Sequence, residues 1–266
     1  MRKKLKTYWQ LFWKFRKLRL MAMMEYRADF LFWAAISVMW TMFNFFFFSL
    51  ILGAGGSIGG WNIYEMYVLL ATFTILDAFT WSFFYAIMSA YTESIFSGDF
   101  SQLLLKPIDA QVLISIQDNS YSNIFRLLIG VVILIWSLQQ LHVKITLTSI
   151  ALYVILLCTA LFFIYSVWFF FSTFAFWVER LDNINEIIPS ARRLWQVPRS
   201  VYIGSASTLF TVILPLGLVS SVPTEVLIQK SAWQWELYFI AFTFAIFLLG
   251  RWFFRYSLRK YSSVGN

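Results

Sequence analysis

The sequence predicts an all-α, polytopic membrane protein with six transmembrane helices, an N-terminal interfacial amphipathic helix and a short cytoplasmic helix between the second and third spans. Hydrophobic residues make up 60% of the 266 residues and charged residues only 13%, whereas soluble domains carry about 25% charged residues. Apolar runs such as residues 150–178 exceed the roughly 20 residues that cross a bilayer. The basic residues lie at the chain ends and between these runs, which is the pattern that orients membrane proteins.

Residues 1–27 are predicted to form an amphipathic helix on the membrane surface. They combine nine Lys and Arg residues with interleaved aromatic and leucine residues. Such a helix lies along an anionic membrane surface with its rings at the headgroup level. The alternative is a solvated basic arm. No cleaved signal peptide is predicted, because the following apolar segment is too long and lacks a cleavage site of small residues.

Residues 28–266 are predicted to form a single transmembrane domain. The candidate spans are Ala28–Leu52, Tyr64–Ala90, Ser120–Leu141, Leu147–Phe176, Val201–Val222 and Trp233–Phe254. Each span is long enough to cross a bilayer. The fifth contains Gly204, Pro215 and Gly217, which favour a bent or partly re-entrant helix. Such a helix is tolerated where neighbouring helices satisfy the freed backbone groups.

Six crossings place both termini on one side of the membrane, and the charge distribution indicates which side. In this arrangement nineteen of the 21 Lys and Arg residues lie on the side of the termini, among them Arg126, Arg192 and Arg199. Only Lys144 and Lys230 lie on the opposite side. Because Lys and Arg favour the cytoplasmic side, we expect both termini in the cytoplasm.

The sequence contains no motif for nucleotide hydrolysis, metal binding or covalent catalysis. The glycines of residues 53–60 match neither the Walker nor the dinucleotide-binding spacing. His142 is the only histidine and lies in a predicted outer loop. The single cysteine, Cys158, excludes an intrachain disulfide and is expected to pack among apolar neighbours. We therefore expect no enzyme, no metal and no cofactor in this chain, and no nucleic-acid partner.

Four residues are candidates for a transport path. Asp77 lies near the middle of the second span, where an acid is costly and is expected to face the bundle interior or a water path. It is either a proton or substrate contact or a structural hydrogen-bond partner, and no basic partner in another span is evident. Tyr85, Asn119 and Arg126 are the other candidates. For Arg126 a salt bridge or a lipid-headgroup contact is an equal alternative.

Residues 93–107 are predicted to form a short amphipathic helix on the cytoplasmic face. Gly98 is expected to end one helical segment, Asp99 or Ser101 to cap the next, and Pro107 to stop it. The apolar side chains expected to be exposed are Ile95, Phe96, Phe100 and the leucines that follow. They are expected to lie on lipid headgroups or in the groove of a partner protein, and composition does not choose between these.

This segment resembles the cytoplasmic coupling helix of the type-two exporter permeases of the ATP-binding-cassette (ABC) superfamily. The residues that carry the resemblance are Ile95, Gly98, Phe100, Leu103, Leu104, Lys106 and Pro107. A second set lies downstream and comprises Trp177, Glu179, Pro198, Tyr202, residues 213–216, Pro223 and Leu227. Together with the interfacial helix and the six spans, the resemblance covers nearly the whole chain.

The resemblance implies a permease subunit of an ABC exporter in the cytoplasmic (inner) membrane of a prokaryote. Its cargo would be a drug, a lipid-like molecule or a peptide. ATP and Mg would be bound by a separate ATPase subunit, and two permeases, identical or related, would form a dimer surrounded by membrane lipids. The implied coupling residues are Ile95, Phe96, Gly98, Phe100, Leu104 and Lys106.

The resemblance also implies that residues 216–228 fold into short helices in the outer leaflet, broken at Pro215 and Pro223. Asp77 leaves one alternative function open. An ion- or proton-coupled carrier would need no ATPase, although the spans show few buried charges and no repeated pair of broken helices of the kind such carriers use.

Overall fold

The structure is a computed structural model that describes residues 2–53, 56–117, 119–178 and 184–261, without the side chains of residues 2–8 and 117. The described part is all-helical and contains no strand. Glu179 and Arg180 lie outside the described residues. The α-helices are α1 (Arg2–Glu25), α2 (Arg27–Leu52), α3 (Ile63–Phe79), α4 (Tyr85–Phe96), α5 (Phe100–Leu104), α6 (Ala110–Gln117), α7 (Ile124–Gln140), α8 (Leu147–Ser172), α9 (Ile187–Ala191), α10 (Ser205–Ser207), α11 (Leu218–Leu227) and α12 (Trp233–Lys260).

Four helical stretches of the described chain are long and apolar enough to cross a membrane. They are α2, the continuous stretch Ile63–Phe96, the stretch Leu147–Phe176 and α12. The segments Ser205–Ile213 and Leu218–Leu227, bent by 81°, make a fifth if they are taken as one span. Helix α7 is apolar but has only 17 residues. The predicted all-helical membrane fold is confirmed with four or five candidate spans, and the number six stays a prediction.

The bundle has two ends, which we name by what lies there. At the elbow end, named after the segment between α4 and α6 that contains α5, this segment packs against the C-terminal end of α12. The rings of Phe100 and Tyr261 lie 5.6 Å apart there. At the loop end, the connection between α2 and α3 meets the end of α11, and Trp61, Leu227 and Ile228 share one hydrophobic cluster. The 34 residues of Ile63–Phe96 run between the two ends, a length of about 50 Å for a helix.

Helix α3 lies at the centre of the bundle. Its N-terminus is closed by a capping box, in which Asn62 and Glu65 each accept a backbone hydrogen bond from the other at 3.0 Å. Helix α7 approaches α3 closely at Gly130, where an added Cβ would lie 3.1 Å from Ile75. On the outside of the bundle, Cys158 of α8 is exposed, so the expectation that it packs in the interior is wrong.

Two irregular stretches meet partway along the bundle. A π-helical segment, Thr80–Phe84, separates α3 from α4, and the chain is non-helical between α6 and α7 at residues 119–123. The backbone N–H of Ser120 donates a hydrogen bond of 2.6 Å to the carbonyl oxygen of Ser82. Irregular backbone is tolerated at membrane depth where protein satisfies it in this way, and π-helical segments are frequent at functional sites.

A third irregular stretch, residues 184–201, carries the chain from the elbow end back to the loop end. It consists of 3₁₀ turns and the single α-turn α9. Its contacts, from the elbow end to the loop end, are Asn185 with Thr92 (2.7 Å), Arg192 with Asp77 (3.2 Å) and Ser200 with the carbonyl oxygen of Gly59 (2.7 Å). The stretch therefore runs alongside α3 and α4 for most of their length.

This path corrects two predictions. The predicted bounds of the fifth span, Val201–Val222, are wrong, because the chain has already reached the loop end at Ser200. The assignment of Arg199 to the side of the termini is also wrong, since its Nε donates to Glu225 at 2.7 Å beside the loop end. Without Arg199, the Lys and Arg residues of α1 and α12 still favour the side of the termini.

Residues 205–227 form a helical hairpin that enters and leaves at the loop end. One arm is α10 with the π-helical segment Thr208–Ile213, and the other is α11. Thr211 of the first arm and Lys230 after the second line one cavity there. The chain bends around Pro215, as expected. Pro223 lies inside α11, so the predicted break at Pro223 is wrong.

Candidate transport and coupling sites

The centre of the bundle contains a cluster of three charged side chains from three elements. Asp77 at the end of α3 is fully buried. Its Oδ2 forms an ion pair with Nη2 of Arg126 at the start of α7. Nη1 of Arg192 lies 3.2 Å from Oδ2 and 3.4 Å from Oδ1. Asp77 therefore has two basic partners, and the expectation that it has none in another span is wrong.

The cluster combines one carboxylate with two guanidinium groups in the bundle interior. Arg126 is 5% exposed, and its Nε has no hydrogen-bond partner among the described residues. The side chain of Arg192 is 23% exposed and lies over the ring of Trp81 at 5.4 Å. Moving an ion from water into the bundle interior costs several kcal/mol unless it is paired with an opposite charge. The three groups therefore stabilise the arrangement in which α3, α7 and residues 184–201 stay in contact. Arg192 is the member that reaches the surface.

Three of the four predicted transport residues lie at this cluster. The ring of Tyr85 lies 4.6 Å from that of Trp81, which places Tyr85 next to Arg192. Asn119 lies in the α6–α7 break and lines a separate cavity with residues of α1 and α2. Arg192 was missed as a transport candidate, because its stretch of sequence has no helical periodicity that would place it in the bundle. Whether these residues touch cargo stays a prediction.

The segment between α4 and α6, which we call the elbow, is partly buried. Ile95 is 5% exposed and Phe100 is fully buried, so the predicted exposure of these two residues is wrong. The ring of Phe100 lies 5.1 Å from that of Phe176 and 5.6 Å from that of Tyr261. Phe96 is half-buried against the same core. These residues anchor the elbow to the bundle and leave other side chains exposed.

The exposed tip of the elbow follows α5. Leu104 is 42% exposed and Leu105 is 85% exposed, and Lys106 is exposed beside them. Gly98 has φ of +83° directly after α4, which suits a glycine at a helix C-terminus. Asp99 precedes α5 but makes no side-chain cap. The predicted exposure of the leucines after Phe100 is confirmed for Leu104 and Leu105, although Leu105 was not among the implied coupling residues.

A charged network supports the base of the elbow. Nη1 of Arg251 on α12 donates to Asp109 at 2.9 Å and to Oε1 of Gln111 at 2.6 Å. The hydrogen bond from Arg251 lowers the pKa of the Asp109 carboxyl below its usual value, against the opposing effect of burial. No local pattern predicts this pair, because the two residues lie 142 positions apart in the chain.

Acid is expected to weaken this network. A carboxyl whose pKa is lowered in the folded state contributes stability above its unfolded pKa and loses it as the pH falls through the folded pKa. For Asp109 the hydrogen bond from Arg251 holds the folded pKa below the usual aspartate value. Thermal unfolding in detergent, followed from pH 7 to about pH 3, should show a loss in the unaltered protein. That loss should be smaller in Asp109→Asn. Identical pH profiles for the two proteins would contradict the role of Asp109.

Helix α1 is clamped to the bundle by a buried arginine. Arg16 is 6% exposed, and its guanidinium lies 4.8 Å from the ring of Phe12 and 5.2 Å from that of Phe83. Its Nη2 donates to the carbonyl oxygen of Ile116 at 3.3 Å, and burial lowers its pKa. These contacts connect α1 to both α6 and the π-helical segment, so α1 is packed against the core of the bundle as well as lying at its surface.

Comparison with known families assigns the chain. Residues 38–265 match the family model described as ABC-2 family transporter protein. No curated protein matches the sequence. The family match covers most of the chain, including the charged cluster, the elbow and the hairpin at the loop end. It identifies an ABC-type membrane permease rather than an enzyme, in agreement with the resemblance carried by the elbow residues. The chain belongs to the ABC-2 family of transporter proteins.

Proposed function

We propose that this chain is the transmembrane permease subunit of an ABC exporter, powered by ATP that a separate subunit hydrolyses. The observation that carries the proposal is the elbow. Its anchor, Phe100, is held in the bundle core, while Leu104, Leu105 and Lys106 project from the end of the bundle. A rigidly anchored apolar tip is suited to a groove on a partner protein. The absence of a Walker motif from the sequence fits a partner that supplies the ATPase.

The elbow is connected to the central cluster through packed elements. Phe100 contacts Tyr91 of α4 at 6.0 Å between ring centroids, and α4 continues through the π-helical segment into α3 and Asp77. A movement of the elbow would therefore act on the three charged groups through one continuous helical stretch. We propose that Asp77, Arg126, Arg192 and Tyr85 line the path of a hydrophobic or amphipathic cargo.

The proposed assembly places two permeases, identical or related, in the cytoplasmic membrane of a prokaryote with both termini in the cytoplasm. Helix α2 supports the proposed dimer in the membrane, because only 17% of its most apolar stretch is buried within the chain. Its outward face is free to meet lipid or a second permease. The excess of Lys and Arg near the termini supports the orientation.

The alternative, a proton- or ion-coupled carrier, finds one supporting observation and one against it. The supporting observation is the break between α6 and α7 close to Asp77, since such carriers bind their substrate and ions at discontinuous helices. However, Asp77 already pairs with two arginines, so a transported cation would have to compete with two guanidinium charges for this carboxylate. We therefore favour the ATP-driven permease.

Affinity purification from native membranes tests the proposed function. A soluble subunit of about 25–35 kDa, the size of an ordinary domain or two, should co-purify with the tagged chain and hydrolyse ATP. In liposomes, a proton gradient without ATP should drive no transport. If the chain repeatedly purifies without any ATPase and a proton gradient alone drives transport, the carrier is the correct function.

A further inference from the structure

A cleft between α1, α2 and the α6–α7 break has the composition of a binding site. Its volume is about 540 Å³, which falls within the usual range for small-molecule sites. Polar groups line one part of it and apolar groups the other. The polar lining residues are Asn119, Ser120, Arg19 and Asp29, and the apolar ones include Met23 and Phe30.

Asn119 is the reason to expect a ligand in this cleft. The residue is 6% exposed, and neither Oδ1 nor Nδ2 has a hydrogen-bond partner among the described residues. Leaving a buried polar group without a partner costs about 1–3 kcal/mol, so nearly all such groups in native proteins are satisfied by protein, water or a ligand. An amide side chain offers both donors and an acceptor, and here it offers them inside a cleft.

An apolar groove continues from the cleft along the outside of the bundle. Its volume is about 370 Å³, it contains Leu31 and Tyr121, and it shares Met23 and Phe30 with the cleft. A ligand that fills both spaces therefore has a polar head and an apolar tail. The charges beside Asn119 are of both signs, because Arg19 and Asp29 line the same cleft. A head group with a single net charge would meet a like charge there.

The cleft also lies close to the central charged cluster. Ser37 of α2 donates to Oδ1 of Asn123 at 3.0 Å, which closes the inner side of the α6–α7 break. Arg126 follows Asn123 by about one helical turn and holds Asp77. A head group bound at Asn119 would thus lie on the same α6–α7 break that leads into Arg126.

We propose that this cleft binds an amphipathic molecule from the adjacent membrane leaflet, with an uncharged or zwitterionic head group hydrogen-bonded to Asn119 and its chain in the groove at Met23, Phe30 and Leu31. The inference rests on the proposed function, since it names the cargo class and the lateral entry site of the same permease. The tail remains among apolar side chains while the head exchanges lipid headgroups for Asn119.

Photo-crosslinking of the full chain in lipid nanodiscs tests the proposal. The probe is a single-chain phosphocholine amphiphile that carries a diazirine in its chain, and a phosphate amphiphile of equal chain length serves as its anionic counterpart. The phosphocholine probe should label peptides that contain Met23, Phe30 or Leu31. Asn119→Leu, which keeps the volume but removes the hydrogen bonds, should reduce this labelling about tenfold.

Two further variants make the result independent of folding defects. Ala22→Trp, at an exposed position that lines the cleft, should abolish labelling by filling the space without altering the core. Gln140→Leu, an exposed amide at the loop end, should leave labelling unchanged. Equal labelling of the unaltered protein, Asn119→Leu and Ala22→Trp would overturn the site. Equal or stronger labelling by the phosphate probe would overturn the proposed head-group class.

The bound amphiphile is either a lipid of the membrane itself or a separate cargo molecule, and competition distinguishes these two sources. If excess two-chain phosphatidylcholine displaces the probe, the membrane lipid itself occupies the cleft, and if it does not, the cleft selects a separate single-chain cargo. Both results support the site. The labelling needs neither ATP nor a partner, so its failure leaves the ATPase partnership intact. Conversely, if no ATPase co-purifies, the cleft would still bind an amphiphile but would not be the entry site of an ATP-driven permease.

Discussion

Replacing Asp77 by alanine is expected to destabilise the protein by about 3–5 kcal/mol, because removal of one member of a buried ion pair leaves the other charge buried without compensation. Arg126 is the residue left behind. It is 5% exposed, and its Nε already lacks a partner among the described residues. The free energy of unfolding in detergent micelles, measured by denaturant titration, should show this loss.

Two control variants separate this effect from a general response to mutation. Glu93→Ala, which removes an exposed acid at the end of α4, should change the free energy of unfolding by no more than about 0.5 kcal/mol. Asp77→Ala combined with Arg126→Leu should recover a large part of the loss, because the buried Arg126 charge is then no longer left without a partner, while the remaining Arg192 reaches the surface. If Asp77→Ala unfolds at the same denaturant concentration as the unaltered protein, the ion cluster does not stabilise the bundle.

Leu105→Asp is expected to weaken binding of the partner ATPase by about tenfold or more, since one side chain at the centre of an interface is often worth 2 kcal/mol or more. Leu105 is 85% exposed at the tip of the elbow, so the substitution should not disturb folding. Binding is measured as the amount of ATPase retained on the immobilised permease at increasing salt and dilution.

The matched control is Leu147→Asp, which alters a leucine that is 83% exposed at the opposite, loop end and should leave binding unchanged. Phe100→Asp should behave differently from both, because Phe100 is fully buried and a charge there would be unpaired. It should lower the yield of folded protein rather than release the partner alone. Normal ATPase binding by Leu105→Asp would show that the elbow tip is not the docking surface.

The sequence predicted the elements whose pattern is local. The long apolar runs predicted α2, α8 and α12, and Gly98 predicted the end of α4, because span length and a glycine at φ of +83° depend only on nearby residues. The central placement of Asp77 was also predicted, since an acid in the middle of an apolar run has few places to lie.

The sequence failed where long-range contacts decide the structure. Arg192 was assigned to the cytoplasmic side because it lies between the predicted fourth and fifth spans. Contacts with Asp77 and Gly59 instead carry this stretch along the bundle. Phe100 was expected to be exposed because the elbow is amphipathic, whereas the rings of Phe176 and Tyr261 cover it. Phe176 and Tyr261 lie more than 70 positions from Phe100 in the sequence, beyond the reach of any local pattern.

Charge counting along the chain failed for a related reason. It counted Arg126 and Arg192 on the cytoplasmic side of the membrane, but both pair with Asp77 inside the bundle. Arg199 lies at the loop end with Glu225. The remaining Lys and Arg residues of α1 and the C-terminal part of α12 still favour cytoplasmic termini, so the orientation rests on those residues.

Cysteine accessibility in intact cells tests the central claim most directly, namely that the elbow faces the compartment of the ATPase while residues 199–201 have returned to the opposite face. Leu105→Cys and Ser200→Cys are introduced separately into a Cys158→Ala background and treated with a membrane-impermeant maleimide. Ser200→Cys should be labelled in intact cells, and Leu105→Cys only after the membrane is opened. Labelling of Leu105→Cys in intact cells, or protection of both residues, would contradict the account.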